Sequence, residues 1–199
     1  MKIIVVGAHG TLGKAICDEL SPRHDIVSAG RSKGDVTVDI MSPESIKAMY
    51  EKVGSVDAVV CAAGDAYFGR LEELTPEHNE IAVQSKLKGQ INLVLIGKDY
   101  VNDRGSFTLT TGIIMDDPIL GGISSAMAGG AVRAFVQAAA IELPRGIRIN
   151  DVSPNVLEES MDSYAPFFPG FEPVPAARAA KAYRKSVEGA QTGQTYKVY

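Results

Sequence analysis

A short apolar run, Lys2-Ile3-Ile4-Val5-Val6, stops on Gly7-Ala8-His9-Gly10-Thr11-Leu12-Gly13. β-branched residues without alternation describe a strand buried on both faces, the habit of parallel sheets. Beyond the glycines, Leu12, Ile16 and Leu20 recur every fourth residue and put one apolar stripe on a helix. Strand, tight turn and helix in that order commit the chain to an α/β architecture from its first residues. Glycines in such a turn permit positive φ, let the backbone approach a pyrophosphate and allow close helix packing. The helix's free N–H groups and dipole then favour phosphate charge. Turn chemistry alone also uses glycines, but the strand-turn-helix context favours dinucleotide binding by Gly7, His9, Gly10, Thr11, Leu12 and Gly13.

The alternation continues. Ile26–Ala29, Val36–Val38, Val56–Cys61, Ser106–Leu109, Ile147–Val152 and Tyr196–Val198 read as further strands. Ser42-Pro43-Glu44 and Thr75-Pro76-Glu77 each combine a cap, a first-turn proline and an acid at the positive end of the dipole. The second of these starts a helix that Ile81, Leu87, Ile91 and Leu95 carry onward, and a small-residue helix is expected from about Ser125 to Leu143. Strands alternating with helices predict a Rossmann-type, doubly wound parallel sheet of about seven strands with helices on both faces. The segment Asn155–Pro175, rich in Pro, Phe and acids, reads as a flexible insert, and no element is assigned between it and Gly193.

With 199 residues the expectation is one domain spanning 1–199. A net charge of −4 without long basic runs argues against nucleic acid or a membrane surface as partner. No apolar run is long enough to span a bilayer, and the N-terminus lacks the cleavage site of a signal peptide. Cys17 and Cys61 offer no disulfide framework, and His9, His24 and His78 show no ligand spacing. A cytoplasmic protein without a metal is expected.

The end of the second strand separates the two nicotinamide dinucleotides. An acid there would bond the ribose 2′-hydroxyl of NAD, but Ser28, Ala29 and Gly30 supply none. Arg31 and Ser32 follow, with Lys33, and a guanidinium can grip a 2′-phosphate in bidentate fashion. NADP(H) is the expected cofactor. Arg31 and Lys33 as a merely solvated loop is the competing reading.

Several motifs together resemble the short-chain dehydrogenase/reductase family: Gly7–Gly13, Ala63-Gly64, Ala139–Leu143, Gly146–Asn150 running into Val152-Ser153-Pro154, and Gly193-Gln194 before the final strand. The resemblance covers nearly the whole chain. It implies that Asp39 and Ile40 lie beside the adenine, and that Ala62, Ala63 and Gly64 form the turn the family writes Asn-Asn-Ala-Gly, with Cys61 in place of the first Asn. It also implies that Pro154 and Asn155 flank the nicotinamide, with Asn155 in place of a glycine.

The family's catalytic Tyr-x-x-x-Lys does not carry over. In its helix, Ser125 stands at the tyrosine and Gly129 at the lysine. A phenol normally donates the proton while hydride arrives from the cofactor, and a serine hydroxyl is too weak an acid and too short. The family serine falls near Thr110-Thr111-Gly112, so Thr111 is a candidate to polarise a carbonyl. Lys86 replaces the family asparagine and could return an ammonium to the site, or could be a surface lysine of an amphipathic helix. Tyr67 could supply a phenol or, as the stronger reading, cover the cofactor. The small residues of this helix imply a homodimer or homotetramer, against a monomer that packs the same face internally.

Two functions follow from these features. One is an NADP(H)-dependent oxidoreductase acting on a small carbonyl or alcohol through a modified site holding Thr111, Lys86 and Ser125. The other is a non-catalytic NADP(H)-binding protein that reports redox state to a partner. The Ser125/Gly129 pair favours the second, and the retained Pro154 loop favours the first.

Overall fold

The computed structural model describes residues 1–199. Its strands are β1 (Lys2–Val6), β2 (Asp25–Gly30), β3 (Val36–Thr37), β4 (Val56–Cys61), β5 (Val101–Thr110), β6 (Arg148–Pro154) and β7 (Thr195–Val198). They form one seven-stranded sheet in the order β3-β2-β1-β4-β5-β6-β7, every pair parallel. The chain runs outward from β1 through β2 to β3, then returns to lay β4 on the other side of β1. That reversal makes a crevice at the carboxyl ends of β1 and β4, where open α/β sheets take their ligands.

Strand alternation divides the core. Ile3 and Val5 pack with Ile16 and Leu20 of α1 (Thr11–Leu20), and with Ala179, Tyr183 and Val187 of a C-terminal helix. Ile4 and Val6 face the opposite layer, built from α2 (Pro43–Val53), α4 (Gln90–Gly97) and α5 (Ile123–Ala139). Helix α2 starts as the sequence indicates: the Ser42 hydroxyl accepts from Ser45 N–H at 3.1 Å, and Pro43 occupies the first turn.

Several elements differ from the sequence reading. The helix expected to run on from Thr75 is α3 (Pro76–Ala82), which passes into π-helical turns over Val83–Gly89 before α4 begins. Fully buried Gln90 fixes this widened stretch: its amide donates to the carbonyls of Lys86 and Thr110, both at 2.9 Å, and its oxygen accepts from Thr110 N–H at 2.8 Å. The small-residue helix runs over Ile123–Ala139 rather than to Leu143, because the chain turns before Pro144.

The segment expected to be a flexible insert is tied down. Leu157 bridges Val174, and Val174 N–H donates to Val156 O at 3.0 Å. The Asn155 amide donates to Glu172 O at 2.8 Å. A short helix, α6 (Met161–Tyr164), lies within it, and Val156 and Phe168 are buried against Ile113 and Ile114. Helix α7 (Ala176–Glu188) then covers the sheet through Ala176, Ala179, Ala180, Tyr183 and Val187. Those positions keep helical spacing, but alanines make the stripe faint.

Candidate functional site

At the carboxyl ends of the strands lie two hollows. One, of about 270 Å³, is walled by Gly7, Gly10, Arg31, Ile40, Ala62 and Ala63. The other, of about 340 Å³, is walled by Leu12, Lys86, Thr111, Ser125, Pro154 and Asn155. Gly64 and Asp65 border both, so the two hollows meet at that turn.

The glycine turn is shaped for an anion. Gly7 has φ +81°, and a Cβ there would approach Ala62 O within 2.8 Å. A side chain on Gly13 would collide with the Gly7 carbonyl, so Gly13 serves helix–turn contact. Helix α1 has no side-chain cap and no acid in its first turn, and no carbonyl accepts from the N–H groups of Thr11, Leu12 or Gly13. Free donors at a helix start, facing a turn with no Cβ in the way, fit a pyrophosphate. His9 and Thr11 are exposed at the rim.

Arg31 and Asp65 are joined at 3.2 Å across the hollow that holds Gly7 and Ala62, both side chains about two-thirds exposed (64% and 66%). Asp65 escaped the sequence reading; an acid directly after the Ala-Gly turn was its only mark. Ser32 is exposed at the loop tip beyond Arg31. Asp39 keeps its carboxylate near the backbone, accepting from Met41 N–H at 3.0 Å, while Ile40 next to it is buried and reaches the hollow.

In the second hollow the three candidate catalytic residues come together, with different freedoms. The π-helical turn aims Lys86 inward: its ammonium donates to Thr111 O at 3.2 Å, and no carboxylate pairs with it. Desolvation lowers the Lys86 pKa, weakly opposed by the Cys61 thiol. Ser125 is buried, and its side chain makes no hydrogen bond within the protein. The Thr111 hydroxyl, expected to polarise a carbonyl, points elsewhere. It donates to Asp151 Oδ2 at 2.6 Å, so its one proton is committed to β6. Asp151 is fully buried, and accepts from Thr195 at 2.8 Å as well. Burial raises its pKa against the pull of those two hydroxyls. An aspartate in the middle of a strand was the signal for it.

Tyr67 turns away from both hollows and stacks on His78 with centroids 4.1 Å apart, so it neither covers the crevice nor offers it a phenol. Its neighbour Phe68 lines the second hollow instead and meets Tyr164 of α6 edge-on at 5.7 Å. Tyr164 and Phe168 complete this aromatic wall, which the clustering of rings between residues 164 and 171 foreshadows. Gly129, at the family lysine, faces Thr111 and Met115 of its own chain.

Comparison with known proteins agrees with this fold. The family model described as Enoyl-(Acyl carrier protein) reductase matches residues 3–195. The crystal structure of the protein lin1944 from Listeria innocua is 63% identical and superposes with a TM-score of 0.99, each chain covered in full. A small-chain dehydrogenase solved in complex with NADPH shares the fold, with a TM-score of 0.88 at 23% identity over 100% of this chain and 96% of that one. An uncharacterized oxidoreductase of Staphylococcus epidermidis is 22% identical over 180 residues, 79% of this chain and 78% of that protein. With residues 3–195 matched by that family model and a parallel sheet that reverses direction beside a glycine turn, the chain belongs to the short-chain dehydrogenase/reductase family of oxidoreductases.

Proposed function

We propose that this protein is an NADP(H)-dependent oxidoreductase that reduces a small carbonyl compound through an altered active site. The observation that carries the reading is the meeting of the two hollows at Gly64 and Asp65, which leaves a trough from Arg31 to Lys86. In it, the N–H groups of Thr11, Leu12 and Gly13 would hold the pyrophosphate, with Gly7 and Gly10 leaving room and His9 at the rim. Arg31 and Ser32 would take the 2′-phosphate, Asp39 and Ile40 the adenine, and Ala62, Ala63 and Gly64 the adjoining ribose. Pro154 and Asn155 would flank the nicotinamide. When bound, NADPH supplies the hydride.

The chain's own residues orient and stabilise. Lys86, which forms no ion pair with a carboxylate, would stabilise negative charge developing on a carbonyl oxygen. Ser125 would add a hydrogen bond. Thr111 would act through its main-chain carbonyl, which fixes the Lys86 ammonium. Gly130, whose missing Cβ would meet nothing, and exposed Ile123 and Met127 on α5 leave a face suited to a second copy, so a homodimer or homotetramer is part of the proposal.

A second reading, a non-catalytic NADP(H)-responsive protein, is favoured by one observation: Ser125 and Gly129 supply no acid, and the proton of Thr111 is already engaged. Calorimetric titration with NADPH and NADH, followed by a carbonyl panel, separates the two. Tight NADPH binding with turnover supports the oxidoreductase. Tight binding with no turnover transfers the case to the responsive protein, and no nucleotide binding at all contradicts both.

A further inference from the structure

The hollow around Lys86 combines three features that the proposed cofactor does not explain. Its outer wall is aromatic, formed by Phe68, Tyr164 and Phe168. Its inner end holds an ammonium that makes no ion pair, the nearby Asp65 being paired with Arg31, and the unpartnered Ser125 hydroxyl. And the positions from which the family delivers a proton are occupied by residues that cannot deliver one.

Loss of the proton donor restricts what can be reduced. Hydride addition to an ordinary ketone leaves an alkoxide about as basic as hydroxide, whose parent acid, water, has a pKa of about 15.7. A proton must then arrive in the transition state. Hydride addition to a quinone leaves a hydroquinone anion, a phenolate whose conjugate acid resembles tyrosine at about 10. The demand on an acid falls by about six powers of ten. Such an anion needs a cation beside it more than a proton donor, and in a partly desolvated pocket the attraction is stronger than in water.

We propose that this hollow takes a quinone, a flat ring with two conjugated carbonyls, and that the protein reduces it by two electrons. The proposal rests on the nicotinamide-dependent reading above. A reduced nicotinamide dinucleotide is the reductant: its C4–H bond breaks, and hydride, with both electrons, is transferred to one carbonyl oxygen of the quinone, forming its O–H bond. The ring π electrons shift through the ring onto the opposite carbonyl oxygen, and the nicotinamide becomes oxidised. Lys86 holds the resulting oxyanion, and one proton from water completes the hydroquinone. The aromatic wall receives the ring through offset or edge contacts.

The test has two arms. In the first, NADPH oxidation is followed with 1,4-benzoquinone and with a panel of unactivated ketones and aldehydes, after subtraction of the uncatalysed rate. Quinone turnover well above every ketone is expected. In the second, which needs no turnover, 4-nitrophenol is titrated into the protein with NADP⁺ present and its absorbance followed against pH. Lys86 should lower the pKa of the bound phenol, and Lys86→Met should weaken phenolate binding about tenfold or more, the effect of one charged hydrogen bond. Lys86→Arg should restore much of it, which controls for misfolding. Ketones reduced as fast as quinones would overturn the proposal, and loss of that ketone activity in Tyr164→Phe would show that Tyr164 of α6 supplies the proton. Tight NADPH binding with neither turnover nor a phenolate shift would also overturn it while leaving the cofactor reading intact. Failure to bind NADPH would remove the reading on which it rests.

Discussion

The ammonium of Lys86 donates to the main-chain carbonyl of Thr111 at 3.2 Å, which joins the π-helical turn to the chain just beyond β5. Desolvation depresses the pKa of this lysine. Below that depressed value lysine is protonated in both folded and unfolded chains, and the full cost of burying its charge is present. As pH rises from there towards the ordinary lysine range, the unfolded chain binds more protons and stability increases. Lys86→Met should therefore unfold no more easily than the parent at neutral pH while losing activity. Denaturant melts of both proteins from neutral to alkaline pH check this. A variant much less stable at neutral pH would assign Lys86 a structural role.

Asp151 gives the opposite slope. Burial raises its pKa above the usual carboxyl value, so the folded chain holds the proton longer than the unfolded one. Stability from this group is complete below the unfolded value of about 3.9 and falls as pH rises to the elevated folded value. Asp151→Asn should flatten that part of the profile, because an amide does not titrate, and its oxygen can still accept from one threonine while its NH2 donates to the other. Asp151→Ala leaves both hydroxyls without their partner and should cost about 1–3 kcal/mol. Thermal melts of the three proteins from below about pH 3.9 to neutral pH decide it.

Arg31 and Asp65 face each other at 3.2 Å across the hollow beside the glycine turn. An exposed pair contributes at most about 1 kcal/mol, so a 2′-phosphate can displace the carboxylate. Asp65→Asn should tighten NADPH binding by up to about fivefold through loss of that competitor. Arg31→Ala should weaken NADPH about tenfold or more and leave NADH nearly unchanged. Paired titrations at low and physiological salt would show both effects shrinking as salt screens the charges.

Gln90 holds the π-helical turn against β5 with three hydrogen bonds of 2.8–2.9 Å. Gln90→Ala leaves Thr110 N–H and two carbonyls without these partners in a buried place. A loss of about 2–3 kcal/mol is expected, lowering Tm by about 4–12 °C for a chain of this size. Lys86 is positioned by the same turn, so quinone or ketone turnover should fall further than NADPH affinity. Equal loss of both would mean that Gln90 supports only the fold.

The sheet and the glycine turn were legible because their signals are local: a β-branched run, then Gly7, Gly10 and Gly13 at the spacing that backbone geometry requires. Helix α7 was hidden because Ala176, Ala179 and Ala180 bury little surface each and scarcely register as an apolar stripe. The π-helical turn at Lys86 was invisible for another reason. It depends on Gln90 reaching Thr110, a contact between residues 20 apart in sequence. Likewise, Thr111 reads as a free hydroxyl until Asp151, 40 residues on, is seen to accept its proton. Side-chain direction at the site is set by such distant partners.

A crystal structure of the protein soaked with NADPH tests the central claim most directly. The account predicts the 2′-phosphate on Arg31 with Asp65 turned aside, the pyrophosphate on the N–H groups of Thr11, Leu12 and Gly13, and the nicotinamide in the hollow that Lys86 and Ser125 share. Adenosine bound with the nicotinamide directed away from Lys86, or the Lys86 ammonium withdrawn into solvent, would contradict it.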